Sequence, residues 1–558
     1  MMFAFSIRRL WRFFLPLFVL STLCLAFFSL LKSGNYFSVP SWAREGTTTA
    51  TAASSATSGQ AYEHTYSPSI EERKRQVKQA FLDSWEDYEE HGWGWDEYHP
   101  VSKTGKFALP KGLGWIIIDS LDTMMIMGLD DKVQRARSWI QTNLTWDQGE
   151  QPVNVFEMTI RMLGGLLSAY TLSGNDPLYL EKATDLGDRL LAAYDTPYGL
   201  PLSQVNLKQR LGVKSFGDNG MISTAEAGTV QLEMRYLSHI TRKPEYWRAA
   251  ERAARALESD HRWNQVGLVP IYINPNTGSY SGKTIRLGSR GDSYYEYLLK
   301  QFLQTKRAEN VYYNMYKKSM DAVLQRLVNK TVPGQLTYIG ELPNGLDGAF
   351  SPKMDHLVCF MGGNLALGAT FGVPYQTASK SWKWSKRRAE QFELAQELTR
   401  TCYEMYRQTK TGIAPEIVVF NRGDFSEDDM MMDFRIKPLD AHNLLRPETV
   451  ESLFILWRLT KNHKYREWGW EIFKAFDKYS RTPDGRGFTS LESVKFTDPV
   501  QQRDNTESFW WAETLKYLYL LFEDDESVLP LTEYTFNTEA HPFPNFIKDS
   551  YLYPDWTL

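Results

Sequence analysis

Acidic residues stand at matching places along this sequence. Glu157 ends Val153-Asn-Val-Phe-Glu, Glu226 ends Ser223-Thr-Ala-Glu, Asp292 ends Gly288-Ser-Arg-Gly-Asp and Glu448 ends Leu445-Arg-Pro-Glu. Glu233, Asp355, Glu451, Glu507 and Glu513 lie at, or a turn or two inside, the starts of similar apolar segments. An acid in a first helical turn gains about 0.3–1 kcal/mol from the helix dipole, which accounts for any single one of them. The set demands more. If those helix starts converge, their charges repel unless a cation, an arginine or a shifted proton affinity relieves them. Arg161, Arg290 and Arg446 lie beside three of the acids in sequence and are candidate partners. Carboxylates around a cavity suit cleavage of a glycosidic bond: one protonates the leaving oxygen while another activates water or attacks the anomeric carbon. The surplus acids would bind sugar hydroxyls or ligate Ca²⁺, which takes oxygen ligands. Aromatic residues make up 14% of the chain, with 18 Trp, enough for stacking on sugar faces and equally for a large core.

Other chemistries find less support. The nine His residues show no H-E-x-x-H pattern and no zinc spacing with Cys. No G-x-S-x-G elbow or phosphate loop is present. The net charge of −4, with no basic patch or run standing out in the folded part, argues against nucleic acid binding.

The elements that must position these acids alternate in kind. Segments 71–90, 132–142, 178–194, 246–259, 311–328, 389–408 and 465–479 carry one apolar stripe each, as expected of helices with one face in solvent. Segments 116–127, 156–172, 225–240, 293–303, 357–370, 448–459 and 508–522 are apolar nearly all round, as expected of buried helices. Seven strictly alternating pairs predict an all-α fold, a closed (α/α)7 barrel with the acids at one end of the inner ring. The segment after Phe522 has no partner helix and is expected to return into the barrel as a plug.

Ahead of this body, 13–31 is an uncharged apolar run preceded by Arg8, Arg9 and Arg12. Its length matches a membrane span, and the charge bias places residues 1–12 in the cytosol and the rest across the membrane. A cleaved signal peptide is the alternative. Residues 32–67 are small and polar and read as a flexible stem, leaving 68–558 as the catalytic domain. Two glycosylation acceptor patterns, at Asn143 and Asn329, fit a lumenal location. So do Cys359 and Cys402, an even pair outside the anchor that is expected to form a disulfide, with two buried thiols as the alternative.

The motifs as a set resemble glycoside hydrolase family 47, the class I α-1,2-mannosidases. They are Trp95-Asp-Glu-Tyr98, Asp119-Ser-Leu-Asp-Thr123, Phe156 to Arg161 with Gly164-Gly-Leu-Leu167, Gly291 to Lys300, Pro415-Glu416, Leu445 to Glu448, Glu513 to Phe522 and Phe536-Asn-Thr-Glu-Ala-His541. The resemblance spans most of 68–545 in order. It implies the (α/α)7 barrel and an inverting enzyme that removes terminal α-1,2-linked mannose from high-mannose N-glycans, with Ca²⁺ at the barrel base. Carried over motif by motif, Glu157 looks like an acid working through water, and Asp292 like a second acid or water-positioning group. Glu448 looks like the base and Glu416 like a further acid of the cleft. Thr538 looks like the direct Ca²⁺ ligand, with Glu226, Glu451, Glu513 and Glu539 holding Ca²⁺-bound waters or sugar. Phe509 would stack on the sugar ring, Arg161 and Arg446 would face substrate, and the cysteines match the family disulfide. Arg290 resembles the endoplasmic reticulum branch, where the Golgi branch tends to have Leu, and such an arginine would clamp one glycan branch. A monomer in the endoplasmic reticulum or Golgi membrane is implied. The competing readings are a lectin-like glycoprotein degradation factor of the same fold and another ring-shaped helical enzyme such as a glucan hydrolase.

Overall fold

The computed structural model describes residues 68–215, 217–553 and 556. The expected cytosolic tail, membrane anchor and stem lie outside the described residues. Contact density divides the chain into Met1–Tyr66 and Ser67–Leu558, and the second unit buries one continuous hydrophobic core of its own.

The outer helices are Ile70–His91, Asp130–Thr142, Pro177–Leu190, Pro244–Glu258, Asn310–Arg326, Lys386–Arg407 and Lys464–Tyr479. In Pro244–Glu258, Tyr246, Trp247, Ala249, Ala250, Ala253, Ala254, Ala256 and Leu257 turn inward, while the charged positions lie mostly on the other face. Proline at its first turn costs no hydrogen bond. Inner helical segments occupy 115–126, 155–172, 224–241, 292–304, 356–370, 448–460 and 510–521. Phe360–Thr370 is buried at every position. A Cβ on Gly362 would lie 2.2 Å from Thr399 Oγ1, so glycine is what lets this helix approach its outer neighbour. Each inner segment packs against the next, and the first meets the last, where the Thr123 hydroxyl donates to the Ala512 carbonyl at 3.4 Å.

Three features differ from the sequence expectation. Several inner helices are interrupted: at Ser120, at Thr229–Val230, and by π-turns at Met158–Leu163 and Trp510–Thr514. Both π-turns carry cavity residues, Arg161 and Glu513, as such turns often do. The fold is also not purely helical, because short strands build small sheets in the connections. Three of these strands, Val153–Asn154, Ile222–Ser223 and Lys353–Asp355, run directly into inner helices and pin their N-termini. At two or three residues they are too short to leave a period in the sequence. Finally, a basic run does exist: Lys380, Lys383, Lys386, Arg387 and Arg388 surround Trp382, which is 89% exposed.

The C-terminal segment does return inward. Tyr534–Phe536 pairs antiparallel with Pro542–Pro544, and the hairpin tip, 537–541, packs among the inner helices. Asn537 donates to the Ile160 carbonyl and to Glu233, both at 2.8 Å. Lys300 donates to the Asn537 carbonyl at 3.3 Å, and Lys516 to the Ala540 carbonyl at 2.8 Å. The His541 ring bridges Asp122 at 2.8 Å and Asp119 at 3.0 Å, all three fully buried. Cys359 and Cys402 are disulfide-bonded and tie the fifth inner segment to its outer partner. Of the two acceptor asparagines, Asn143 is exposed at a helix end and Asn329 is half-buried in a short strand.

Candidate active site

The inner-helix N-termini and the hairpin tip enclose a cavity of about 410 Å³. Glu157, Glu226, Asp292, Glu296, Glu448, Glu451, Glu513 and Glu539 line it, with Arg161, Arg290, Arg446, Phe509 and Thr538. Of the acids singled out in the sequence, Glu157, Glu226, Asp292, Glu448, Glu451, Glu513 and Glu539 converge here, whereas Glu233, Asp355 and Glu507 do not and Glu416 stands one step behind. Its carboxylate accepts from Arg446 Nε at 2.8 and 3.0 Å, and Arg446 also approaches Glu448 at 3.9 Å.

The arginines divide the charge unevenly. Arg161 meets Glu157 at 2.7 Å, Glu539 at 2.8 Å and Asp119 at 3.5 Å. Arg161 and Arg446 both approach the Phe509 ring at the cavity wall, 5.7 and 5.4 Å from its centroid. Arg290 does not neutralise Asp292, the acid two residues away. It pairs with Asp218 at 3.3 Å and lies over Tyr272 at 5.1 Å, because its backbone is left-handed (φ 74°) and turns the side chain toward the rim.

Asp292 is left without an arginine. Burial, with Glu296, Asp355 and Glu448 nearby, pushes its carboxyl up to about 7. Glu448 is in the opposite state. Burial opposes its charge, but the bond from His356 Nδ1 at 2.8 Å and the charge of Arg446 hold it below the usual carboxylate range. His356 Nε2 lies 3.0 Å from the Tyr406 hydroxyl and 3.1 Å from that of Thr449. Both hydroxyls can donate, which leaves the Nδ1 proton for Glu448.

At the floor, Thr538 Oγ1 donates to Glu296 at 2.9 Å. Lys300 contacts Glu296 and reaches Glu451 at 3.7 Å. Burial and mutual repulsion still raise Glu451 and Glu539 to about 8, and Glu513 well above the usual carboxylate range. This floor is an acid cluster with too few cations of its own.

Some acids do double duty or stand elsewhere. Glu226 lines the cavity and also completes a capping box with Ser223. Asp355 is tied to Lys353 at 2.6 Å and to the Ser289 amide at 3.1 Å. Glu233 is buried under the hairpin tip, held by Tyr297 at 2.7 Å and pushed up to about 7 by burial. Glu507 lines a neighbouring cavity of about 400 Å³ that shares Glu157 and Arg161 with the first. Sequence reading assigned no role to Glu296, His356, Asp119, Asp122, His541, Lys300 or Lys516. All but His356 lie inside motifs quoted above, and that was the signal available. His356 carries no local signal, since its partner is 92 residues away.

A ring of helices around two neighbouring carboxyls whose proton affinities are driven apart, Glu448 downward and Asp292 upward, defines a carbohydrate-cleaving enzyme of the helical type. Comparison with known proteins refines this. Residues 80–545 match the model of glycosyl hydrolase family 47, and the chain belongs to that family. It is 56% identical over 481 residues to the endoplasmic reticulum mannosyl-oligosaccharide 1,2-alpha-mannosidase of Schizosaccharomyces pombe, covering 86% of this chain and 91% of that protein. It is 46% identical to the Saccharomyces cerevisiae protein of the same name, covering 89% and 96%. An alpha-1,2-mannosidase structure from Trichoderma reesei superposes with a TM-score of 0.76 at 28% identity, covering 85% of this chain and 99% of that one. The chain is a glycoside hydrolase.

Proposed function

We propose that this chain is an inverting, Ca²⁺-dependent exo-α-1,2-mannosidase that trims terminal mannose from high-mannose N-glycans on lumenal glycoproteins. Its body is read as an (α/α)7 barrel plugged by the C-terminal hairpin. A monomer held in the endoplasmic reticulum membrane through 13–31 fits the names of the relatives and the sequence upstream of the body. The observation that carries the reading is that two carboxyls lining one cavity, Glu448 and Asp292, are shifted in opposite directions, the first by His356 and Arg446 and the second by burial.

In this mechanism Glu448 accepts a proton from the water that attacks the anomeric carbon. His356 holds the carboxylate in place and keeps it charged. Asp292, pushed up to about 7, supplies from its protonated fraction the proton for the leaving oxygen, and Glu157, at the junction of the two cavities, orients the water that passes it on. A single displacement with room for water inverts the anomeric centre. Phe509 offers an apolar face to the sugar ring.

The floor fits a hard cation held largely through water. Thr538 can offer a hydroxyl and a carbonyl oxygen, and Glu226, Glu296, Glu451, Glu513 and Glu539 line the same space. Among the described residues no three acids, His or Cys gather closely enough to ligate a metal directly. Ca²⁺ bound there would supply the positive charge the acid cluster lacks and polarise sugar hydroxyls.

Two expected outcomes follow. Residues 67–558, incubated with a Man9 N-glycan and read by mass, should lose one mannose, and chelation should abolish the loss. One mannose is expected because Arg290, held at the rim, clamps one branch. Loss of several would overturn the single-branch reading. No loss from folded, Ca²⁺-loaded protein would replace it with a lectin-like role. The second outcome concerns pH. Asp292 keeps its proton below about 7 and loses it above, so the rate should fall as pH rises through that value. In Asp292→Asn that descending limb should vanish from the residual rate, and a pH–rate profile that retains it would assign the proton donor elsewhere.

A further inference from the structure

Because the inner-helix N-termini line the cavity, their C-termini and the starts of the following outer helices lie at the opposite end. Five connections at that end are short, two to five residues: 127–129, 173–176, 242–243, 305–309 and 461–463. The remaining one, 371–385, has fifteen. Its shoulders are fixed. Tyr375 stacks on Phe392 at 4.4 Å, and Trp384 stands edge-on to both, at 5.8 and 6.4 Å. Its tip is not, since Trp382 is 89% exposed.

No acid occurs between Ser379 and Ala389, where five cations do. Arg387 pairs with Asp321 at 2.5 Å, and Lys386 approaches Glu390 at 3.5 Å. Among the described residues, Lys380, Lys383 and Arg388 form no ion pair, and neither does Arg307 of the adjacent connection. Arg307 and Arg388 share the Phe371 ring, at 5.6 and 4.4 Å, so these charges belong to one patch. Lys380 and Lys383 flank an indole that stands in water, with Lys383 5.3 Å from its ring, and Arg307 and Arg388 add two further unneutralised cations at the base of the same loop, over Phe371.

The chain also enters the body at this end. Arg73, in the first turn of the first outer helix, pairs with Glu467, at the start of the seventh, at 2.9 Å. Lys74 pairs with Glu523, just past the last inner helix, at 2.7 Å. The sequence that precedes residue 68, including the apolar run 13–31, is therefore joined to the end that carries the basic loop, and the cavity opens at the other.

We propose that the Trp382 loop is a lipid-docking element: its indole seats among the headgroups of a membrane surface, with Lys380, Lys383, Arg388 and Arg307 facing anionic lipids. Tryptophan favours the membrane–water interface, where its ring is apolar and its N–H remains wet. Lysine and arginine add attraction to anionic headgroups that salt screens. Docking would hold the cavity mouth facing away from the bilayer, toward glycans in the lumen. The body's own cations carry this inference, so it stands or falls independently of the anchor reading.

The test is cosedimentation of residues 67–558, which form one compact unit with its own core, with phosphatidylcholine vesicles with and without phosphatidylserine. Binding should require phosphatidylserine and be released by high salt. It should fall about fivefold for each cation lost in K380A or K383A, and W382A should weaken it further. Because Trp382 packs against no core residue, W382A should unfold at the wild-type temperature. Absence of wild-type binding at low salt, or equal binding by W382A and K380A/K383A, would overturn the proposal.

Discussion

Glu448→Gln should lower turnover by about 10²–10⁴-fold, the range general acid–base groups contribute. The amide is nearly isosteric and can still sit beside His356 and Arg446, but it accepts no proton from water. The loss should therefore fall on kcat, with KM changed little. The cavity, the hairpin and the disulfide do not depend on that charge, so thermal unfolding should shift by little. Measuring both quantities separates the chemical role from a structural one. An unfolding shift as large as the activity loss, or residual turnover above a few per cent, would remove Glu448 from the role of base.

The second large effect is expected in stability. The His541 ring sits between Asp119 and Asp122 with no exposure, where Lys516 stands 2.8 Å from Asp122 and Arg161 3.5 Å from Asp119. His541→Ala leaves two buried carboxylates short of a partner, and breaking a buried pair in this way costs about 3–5 kcal/mol. The sign of the pH dependence follows from the shift. Burial works against the imidazolium, but Asp122 and Asp119 raise it from 6.5 to about 9. A group raised on folding contributes fully below its unfolded value and loses that contribution as pH rises through the folded one. Wild-type stability should therefore decline between about 6.5 and 9, whereas His541→Ala should start lower and show a flatter slope over that window. Denaturant unfolding at several pH values reads this directly. Parallel slopes would mean that the histidine is neutral in the fold. Because Thr538 and Glu539 ride on the same hairpin tip, the variant should also bind Ca²⁺ more weakly, in proportion to how far the tip loosens.

Much of the architecture was legible in order. Helix periods alone located fourteen segments to within a few residues, because an outer helix must keep one stripe apolar and an inner one must be apolar throughout. The acids at inner-helix starts were legible for the same reason: a repeated placement at the ends of similar helices marks one end of one assembly. The cysteine pair needed only parity and compartment. What the sequence could not display were partnerships between distant segments. Arg290 looked like a partner of Asp292 and pairs with Asp218, 72 residues back, because a left-handed backbone turns it outward. Glu226 and Asp355 looked equivalent, yet one faces the cavity and the other is tied off by a lysine and a backbone amide.

By itself, then, the sequence determined the alternating helices, the family, most of the acids that line the cavity and the inward return of the C-terminal segment. Each is encoded in local periodicity or in short motifs. Tertiary structure alone decided which acid gives up its proton more readily. Asp292 and Glu448 are both helix-start carboxyls with an arginine nearby in sequence. Only the fold puts His356 and Arg446 against one and leaves the other half-buried without a cation. It also decided that the histidine of the hairpin motif clamps the floor, and that one basic loop stands free in solvent. Proton affinity and exposure depend on what packs against a group from every side, and those neighbours come from segments tens to hundreds of residues apart.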